Sequence, residues 1–428
     1  MALVKPFRAW HYDPKQVTIE RVVAPPYDVI SESDKEKFHT RDPYNIIRLI
    51  LGQPKPGESD QGSKYAEARA HLDEWIRKGI LTQEPRDGFY LYEMNYRHPF
   101  QNKILTRLSL FAALKLEPFE RKVVFPHEKT HASPKVDRGK LLRATEANFS
   151  SIFALYEDAS PILDQVRKKC DSRTPLFDFT DEKNIHHRLW LVDGPNEIKS
   201  IAACFDRRRI FIADGHHRYE TALKYAEEMN QKMKPASEAT WQYVLTTFVR
   251  FNDPGLLILP IHRVVLKSVL MNQAALVENL KRHFILHPVS RAVLEKISEG
   301  SIAEGFGLAF SENECYLLEL KDKTAARQHM PQGKPSSWYE LDMNLVSYLI
   351  LEPILGIKEA NLERSIFYTP SIEEALGKLK TLDAHAAFFI RPVTAQTIKD
   401  ICESGELMPQ KSTYFYPKFP SGLLIYKH

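Results

Sequence analysis

The residue types that bind phosphate are concentrated in the segment IFIADGHHRYETAL, residues 210–223. Its composition predicts an apolar strand, a short polar loop and a helix from about Tyr219 to Met233. The first backbone N–H groups of a helix have no partners within the helix and lie at its positive end, so they suit a phosphate. Gly215 permits close approach of the backbone, and Arg218 adds a forked pair of permanently charged donors. We expect Arg218 at an exposed helix start.

The same loop carries groups that could move a proton or hold a metal ion. His216 and His217 supply a donor and a possible proton acceptor. Asp214 could hold a magnesium ion or act as a base. A structural interpretation also fits, in which the aspartate caps the helix and the histidines are polar surface. The spacing alone leaves both interpretations open.

A second pattern with possible chemistry is HEKTH at residues 127–131. In a helix, this spacing places His127 and His131 on one face around zinc, with Glu128 as the base. Prolines bracket the pattern closely, its flanks lack helical apolar periodicity, and no third ligand is evident. A zinc hydrolase is therefore a lesser alternative.

A polar loop is the rival interpretation of this segment. In that case His127, Glu128 and Thr130 contact phosphate, magnesium or the substrate. Three charged residues that follow closely would join them, namely Lys135, Asp137 and Arg138. A solvated charged turn remains the structural alternative.

The C-terminal segment MPQKSTYFYPK, residues 408–418, combines lysines, hydroxyl groups and aromatic rings. The lysines Lys411 and Lys418 and the hydroxyl groups of Ser412 and Thr413 could reach a phosphate while the aromatic rings stack on a base. Aromatic residues in a short strand also serve commonly as packing groups. The segment APPYDVI at 24–30 is ambiguous in the same way, because Tyr27 could stabilise the proline turn or point into a cleft.

The elements that must position these residues are interleaved strands and helices, which predicts an α+β fold. Residues 65–76 have helical apolar spacing before Gly79, and Pro195 opens another helix. FYLYEMNYR at 89–97 and RLSLFAALKLE at 107–117 are predicted to be adjacent antiparallel strands. GFGLAFS and CYLLELK are predicted to form a hairpin. A change in element order places a domain boundary near residue 265.

Composition limits the classes of function. The chain has 428 residues, enough for two or three domains, and 59 basic against 55 acidic residues leave a net charge of only +4. Nucleic acid is therefore not an expected partner. Four scattered cysteines suggest neither a zinc ribbon nor a disulfide scaffold. The N-terminus lacks the apolar core of a secretory signal, and no apolar stretch reaches the ~20 residues of a membrane span, so we expect a cytoplasmic protein without membrane contact.

DGHHRYE resembles the phosphate-binding loop of sulfiredoxins and the nucleotide loop of ParB-type proteins, which share one superfamily. Further segments resemble a large bacterial and archaeal family of that superfamily, itself similar to the free L-serine kinases. In chain order these segments are APPYDVI at 24–30, HEKT at 127–130, KVDR at 135–138, NFSSIFALY at 148–156, DPGLLILPIHR at 253–263 and MPQKSTYFYPK at 408–418. The resemblance spans nearly the whole chain.

The resemblance implies a nucleotide-dependent phosphotransferase that uses ADP or ATP with Mg²⁺ and acts on the hydroxyl of a small metabolite such as free L-serine. A non-catalytic or NTP-hydrolysing ParB-like nucleotide-binding switch is the alternative. The implied fold is a ParB/sulfiredoxin-like core over residues 1–265 with an additional C-terminal α/β region over 266–428. The catalytic glutamate of serine kinases lies early in their chains, and Glu20 is the nearest candidate here.

The predicted site combines these segments. The catalytic candidates are Asp214, His216 and Glu128, with Asp214 also the candidate Mg²⁺ ligand. The predicted nucleotide-binding residues are Gly215, His217, Arg218, His127, Thr130, Arg138, Lys411, Ser412 and Thr413. The substrate, the choice between ADP and ATP and the oligomeric state do not follow from the sequence.

Overall fold

The chain divides into two compact units in a computed structural model, which describes residues 1–53, 63–130, 132–235, 237–270, 272–381 and 383–428. The first unit contains Met1–Pro126, Thr130–Leu256 and Pro417–His428. The second contains His127–Lys129 and Leu257–Tyr416. The last twelve residues therefore return to the first unit, which brings the C-terminal segment beside elements far away in the sequence.

Strands and helices alternate along both units. The strands are β1 (Val4–Lys5), β2 (Trp10–Tyr12), β3 (Leu81–Gln83), β4 (Phe89–Arg97), β5 (Ile104–Lys115), β6 (Val124–Phe125), β7 (Ala147–Asn148), β8 (Ile152–Tyr156), β9 (Phe177–Thr180), β10 (His186–Val192), β11 (Ile210–Asp214), β12 (Tyr243–Arg250), β13 (Leu257–Leu259), β14 (His262–Leu266), β15 (Phe284–Val289), β16 (Phe306–Ser311), β17 (Glu314–Leu320), β18 (Ile366–Thr369), β19 (Ala384–Phe389), β20 (Tyr414–Tyr416) and β21 (Tyr426–Lys427).

The helices are α1 (Ile19–Val22), α2 (Glu32–Arg41), α3 (Ile47–Ile50), α4 (Ser63–Arg77), α5 (Ala132–Thr145), α6 (Ile162–Cys170), α7 (Pro195–Cys204), α8 (His216–Met233), α9 (Gln273–Leu280), α10 (Arg291–Ser298), α11 (Lys323–Gln328), α12 (Ser336–Tyr339), α13 (Asp342–Val346), α14 (Leu362–Ser365), α15 (Ile372–Lys380) and α16 (Ala395–Glu403). Within the described ranges, every helix is too short or too polar to cross a bilayer.

A mixed nine-stranded sheet organises the first unit. Its strand order is β6-β11-β8-β12-β5-β4-β10-β9, and β1 also pairs with β5. β11 pairs antiparallel with β8 and parallel with β6, while β12 pairs parallel with β8. Every residue of β8 is buried, and so are all but the last of β12. Continuous burial rather than alternation shows that both faces of the sheet are covered at its centre, next to β11.

A buried arginine fixes the C-terminal segment to this sheet. Arg107 on β5 is fully buried, and its guanidinium carbon lies 4.4 Å from the ring centroid of Phe419 and 5.3 Å from that of Phe153. Its Nη2 donates a hydrogen bond to the backbone oxygen of Pro417 at 2.6 Å. A desolvated cation between aromatic rings is strongly held. This arrangement therefore positions the neighbouring residue, Lys418.

An antiparallel sheet of six strands, in the order β15-β17-β16-β19-β14-β18, forms the centre of the second unit. The helices α10 and α15 pack against it. A separate two-stranded ribbon joins β13 to β20, where Leu257 pairs with Tyr416. This ribbon incorporates the aromatic part of the MPQKSTYFYPK segment into the second unit.

Several sequence predictions are confirmed. β4 and β5 are antiparallel neighbours, and β16 and β17 form the expected hairpin. The helix expected over 65–76 is α4, and Gly79 follows it with a φ of +72°. The fold is mixed α+β with a large mixed sheet. The ParB/sulfiredoxin-like core and the division at residue 265 stay predictions.

A buried aspartate stabilises the turn after β12. Asp253 is 6% exposed, and its carboxylate accepts hydrogen bonds from the backbone N–H of Gly255 at 2.9 Å and of Leu108 at 3.3 Å. Burial raises the pKa of Asp253 to about 6, although the two N–H donors and Arg107 act in the opposite direction. The folded protein therefore holds this proton more tightly than the unfolded chain, whose aspartates titrate near pH ~3.9.

We predict that Asp253 makes stability fall as pH rises. Its contribution to the free energy of unfolding is fully present below about pH 4 and is lost as the pH rises through about 6. Relative to Asp253→Asn, which cannot titrate, the native protein should lose about 2 kcal/mol between pH ~4.5 and ~7.5. Urea denaturation at both pH values measures this difference. The control is Asp206→Asn, which changes an exposed aspartate. If the free energies of unfolding of the native protein and of Asp253→Asn differ by the same amount at both pH values, the raised pKa of Asp253 is contradicted.

Candidate functional site

The strand, glycine and helix predicted from the sequence form one continuous turn. β11 ends at Asp214, and Gly215 adopts a left-handed conformation with a φ of +89°. A Cβ atom at Gly215 would lie 2.9 Å from the guanidinium carbon of Arg218. Glycine is therefore required both for the backbone conformation and for the space that Arg218 occupies. The helix α8 starts at His216, three residues earlier than predicted, so the HHR residues form its first turn.

Asp214 is bound by two cations. Its Oδ1 accepts a hydrogen bond from Lys418 Nζ at 2.7 Å, and its Oδ2 accepts one from Arg218 Nη2 at 2.7 Å. The side chains are largely buried, with exposed fractions of 16% for Asp214, 11% for Lys418 and 12% for Arg218. We call these three residues the Asp214 cluster. It contains one carboxylate and two cations, so its net charge is positive.

The cluster determines the protonation state of its carboxylate. Burial alone would raise the pKa of Asp214, but Lys418 and Arg218 outweigh burial and hold this pKa well below its usual range. His216 acts in the same direction. Asp214 therefore stays ionised at neutral pH, where it is a weak proton acceptor and a strong electrostatic anchor.

The expectation that Arg218 is exposed was wrong. Besides Asp214, its guanidinium binds the backbone oxygen of Ser151 through Nη1. The cause is local, since Asp214 and Arg218 are four residues apart and Gly215 between them has no side chain, so the arginine folds back over the turn. Both ends of the guanidinium fork are held, which fixes its orientation.

Tyr27 and Arg138 form a second pair in the first unit. The guanidinium carbon of Arg138 lies 4.3 Å from the Tyr27 ring centroid, and Arg138 Nη1 donates to the backbone oxygen of Ile50 at 2.8 Å. Burial raises the pKa of Tyr27 to about 12, and Asp28 adds to this effect. Arg218 and Arg138 favour the ionised phenol, but they do not overcome burial. The Tyr27 phenol is therefore neutral near pH 7, and its ring packs against the Arg138 guanidinium.

Asp137 connects α5 to α4. Its Oδ1 accepts hydrogen bonds from Lys64 Nζ and Tyr65 Oη, each at 2.7 Å, and its Oδ2 binds Arg138. Burial would raise the pKa of Asp137, but Arg138, Lys64 and Tyr65 together lower it. This carboxylate therefore helps to orient Arg138, which also contacts the Tyr27 ring.

Thr130 and Lys135 contact a carboxylate on the first turns of α8. Thr130 Oγ1 donates to Glu220 Oε1 at 2.8 Å, and Lys135 Nζ donates to Glu220 Oε2 at 2.7 Å. Lys135 to Arg138 lie in α5, so the polar loop expected there is instead helix. The positions of Thr130 and Lys135 thus depend on α8, which begins at His216.

The HEKTH segment does not have the geometry of a zinc peptidase where the structure describes it. His127 to Thr130 are outside any helix, and Glu128 forms an isolated bridge with Met408. His131 lies outside the described residues. Since two histidines four residues apart share a face only in a helix, the described part lacks the required element. Over the described ranges, no group of three or more His, Cys, Asp or Glu side chains is placed to hold a metal ion.

The other predicted residues of the second unit meet one another. His127 Nε2 lies 3.0 Å from Thr413 Oγ1, and the backbone oxygen of His127 accepts from Met408 N at 2.8 Å. Ser412 is buried, and its hydroxyl donates to the backbone oxygen of Pro409. Lys411 is exposed, with a φ of +57°. These residues form a local cluster within the second unit.

The structure thus separates the predicted residues into groups. In the first unit it joins Asp214, Gly215 and Arg218, with His216 buried and His217 half-buried in the same helical turn. Glu20 is exposed on α1. The sequence analysis placed Lys418 in the MPQKSTYFYPK segment, whose lysines could reach a phosphate, but left it out of the predicted site residues; in the structure it binds Asp214 directly. Its place in a segment rich in lysine and hydroxyl groups was the available signal.

Comparison with protein families shows that residues 4–344 match the family described as "Protein of unknown function (DUF1015)", and the chain belongs to this family. Among solved structures, a conserved hypothetical protein from Pyrococcus furiosus is similar at 12% identity and a TM-score of 0.36, over 74% of this chain and 94% of that chain. "Free serine kinase in complex with AMP" has the same identity and TM-score, over 74% and 91%. SbnI with C-terminal truncation, from Staphylococcus aureus, has 11% identity and a TM-score of 0.34, over 73% and 86%. These values describe a distant likeness. No curated protein matches.

We predict that Asp214→Asn destabilises the protein by about 3 kcal/mol or more, because it removes the carboxylate to which two largely buried cations, Arg218 and Lys418, donate hydrogen bonds. The matched control is Asp164→Asn, which breaks a bidentate pair with Arg250 in which the carboxylate is 49% exposed. The control should lower stability by less than about 1 kcal/mol. Thermal unfolding of both variants measures the effect. Equal decreases in stability in the two variants would contradict the claim that Asp214 stabilises two largely buried cations.

Proposed function

We propose that this member of the DUF1015 family binds ADP or ATP at the Asp214 cluster and transfers its terminal phosphoryl group to the hydroxyl of a small metabolite. Free L-serine is the metabolite that the sequence resemblance implies. The observation that carries the proposal is the pair of cations, Arg218 and Lys418, fixed at 2.7 Å from one largely buried carboxylate at the start of α8.

The first argument is the supply of donors for phosphate oxygens. α8 is 18 residues long, and its N-cap residue Gly215 makes no side-chain capping bond. The N-terminal end of a helix attracts anions through its backbone N–H groups and the helix dipole. Arg218 and Lys418 add charge at the same place.

The second argument is preorganisation. Phosphoryl transfer depends mainly on positioning and on neutralising charge, with little covalent chemistry for the protein to perform. Donors that are already fixed stabilise developing charge without reorganising during the reaction. Asp214 and the Ser151 oxygen hold the Arg218 fork in one orientation, and Asp214 holds Lys418. Both cations are therefore held in place before an anion binds.

Asp214 is the predicted Mg²⁺ ligand, so its carboxylate oxygens would have to be able to contact the metal ion. Both carboxylate oxygens of Asp214 are engaged by cations, so Asp214 could ligate Mg²⁺ only after Lys418 or Arg218 moved. The residues around the cluster therefore do not fit a resident Mg²⁺ site. Mg²⁺ commonly binds through nucleotide phosphates and water with few protein ligands, so we propose that it enters with the nucleotide as part of the substrate.

The proton acceptor is one of the three predicted candidates. Asp214 is a weak proton acceptor, because its two cations lower its pKa. Its role in the proposal is to orient Arg218 and Lys418. His216, buried in the first turn of α8, is the candidate within the first unit for accepting the hydroxyl proton, and Glu128 stays a prediction from the sequence.

We predict that ADP or ATP raises the melting temperature of the native protein, because a ligand that binds only the folded state stabilises it by mass action. The same protein should convert nucleotide and a hydroxyl-metabolite mixture that includes L-serine into a phosphorylated product, detected by mass spectrometry with and without Mg²⁺. Stabilisation without a product would replace the kinase with a nucleotide-binding switch. The proposal is overturned if no nucleotide at a concentration of about 1 mM raises the melting temperature. A Kd of that size corresponds to about 4 kcal/mol of binding free energy.

We predict that Arg218→Lys weakens nucleotide binding at least tenfold, about 1.4 kcal/mol, because lysine keeps the charge but loses the planar fork. Because Arg218 is largely buried, some loss of melting temperature accompanies the change. The matched control is Arg143→Lys, which alters a bidentate pair with Glu228 farther along α8. Titration of ADP into both variants is the measurement. Unchanged affinity in Arg218→Lys would remove this residue from the phosphate site.

A further inference from the structure

The second unit contains a pocket remote in sequence from the Asp214 cluster. It lies between the β16–β17 hairpin and the helices α11, α12 and α13, and its cavity volume is about 180 Å³. The structure describes all of its lining residues, and all of them belong to the second unit. None of them is used in the proposed phosphotransfer.

The interior of the pocket is apolar. Phe306, Leu318, Ala326 and Met330 line it, and each is buried. Pockets for drug-sized ligands measure about 300–1,000 Å³, so this pocket is too small for a nucleotide. An apolar cavity of about 150 Å³ accommodates benzene. The volume therefore suits one hydrophobic group no larger than the side chain of leucine, methionine or phenylalanine.

The charges around the pocket are balanced. The lining contains three cations and three carboxylates, which are Lys323, Arg327, Arg391, Glu304, Glu319 and Glu340. A ligand with only a positive or only a negative charge would find no net attraction here. A ligand that carries both charges, close together at one end of a hydrophobic group, matches the lining.

One ion pair is suited to receive such a ligand. Arg391 is held by the buried Asp342 through two hydrogen bonds from Nε, and Lys323 pairs with Glu304 at 2.7 Å. By contrast, Arg327 and Glu340 are 3.8 Å apart, with exposed fractions of 40% and 62%. Opening an exposed pair of this length costs little.

The arginine of that pair also contacts an aromatic ring. The guanidinium carbon of Arg327 lies 5.2 Å from the ring centroid of Tyr339, which also lines the pocket. A carboxylate on Arg327 and an ammonium on Glu340 would replace one weak ion pair with two. The hydrophobic group of the same molecule would then fill the space beside Met330 and Phe306.

We propose that this pocket binds a free α-amino acid with an apolar side chain. The α-carboxylate binds Arg327, the α-ammonium binds Glu340, and the side chain enters the cavity. This binding site is independent of the phosphotransfer proposed for the first unit, because it uses none of the same residues.

Titration calorimetry on the full chain tests the ligand class. The probes are L-leucine, L-methionine and L-phenylalanine, with isocaproate and isoamylamine as leucine analogues that lack the ammonium or the carboxylate. At least one amino acid should bind with a Kd below about 10 mM, and for leucine each analogue should bind at least tenfold more weakly. Glycine, which lacks the side chain, should also bind at least tenfold more weakly. Isocaproate that binds as well as leucine, or no binding by the three amino acids, would overturn the proposal.

Variants of the second unit locate the site. Arg327→Gln and Glu340→Gln should each weaken binding at least tenfold, while Arg282→Gln, an exposed arginine outside the pocket, should leave it unchanged. Ala326→Leu should block the cavity. If Ala326→Leu fails to fold, Arg327→Gln and Glu340→Gln still show whether the amino acid binds in this pocket. Unchanged binding in Arg327→Gln would place the amino acid elsewhere and overturn the assignment.

Discussion

The buried ionic contact of Asp214 with Lys418 and Arg218 is the constraint on which the first unit's site depends. Its three members come from different places, since Asp214 ends β11, Arg218 lies in the first turn of α8, and Lys418 is 204 residues beyond Asp214. Two supports bring them together. The left-handed turn at Gly215 lets Arg218 fold back, and Arg107 holds the backbone next to Lys418.

This contact has the properties of a functional arrangement more than of a stabilising one. Largely buried ions lose hydration on folding, and apolar groups of similar volume commonly serve stability as well or better. Two cations on one carboxylate also leave a positive surplus beside the N-terminal end of α8, where the helix dipole is positive. An anion that approached this place would gain from the surplus. In the proposed function, the terminal phosphate of a nucleotide is that anion.

The sequence predicted the local elements well and the long-range contacts poorly. Apolar and aromatic runs indicated β4, β5 and the β16–β17 hairpin, because strand patterning is a local property. The DGHHR turn was also visible as a strand followed by a helix. The burial of Arg218 could not be predicted from the sequence, because it depends on the backbone angle at Gly215 and on a hydrogen bond to the Ser151 oxygen. Lys418 was missed as a partner of Asp214, because pairing across 204 residues leaves no periodicity to detect.

The most direct test of the account is a crystal structure of the protein determined with ADP. We predict that the terminal phosphate lies within hydrogen-bond distance, about 3 Å, of Lys418 Nζ, of the Arg218 guanidinium and of the first amides of α8. ADP bound elsewhere, with the contacts of Asp214 to Lys418 and Arg218 unchanged and no phosphate oxygen near either cation, would contradict the central claim.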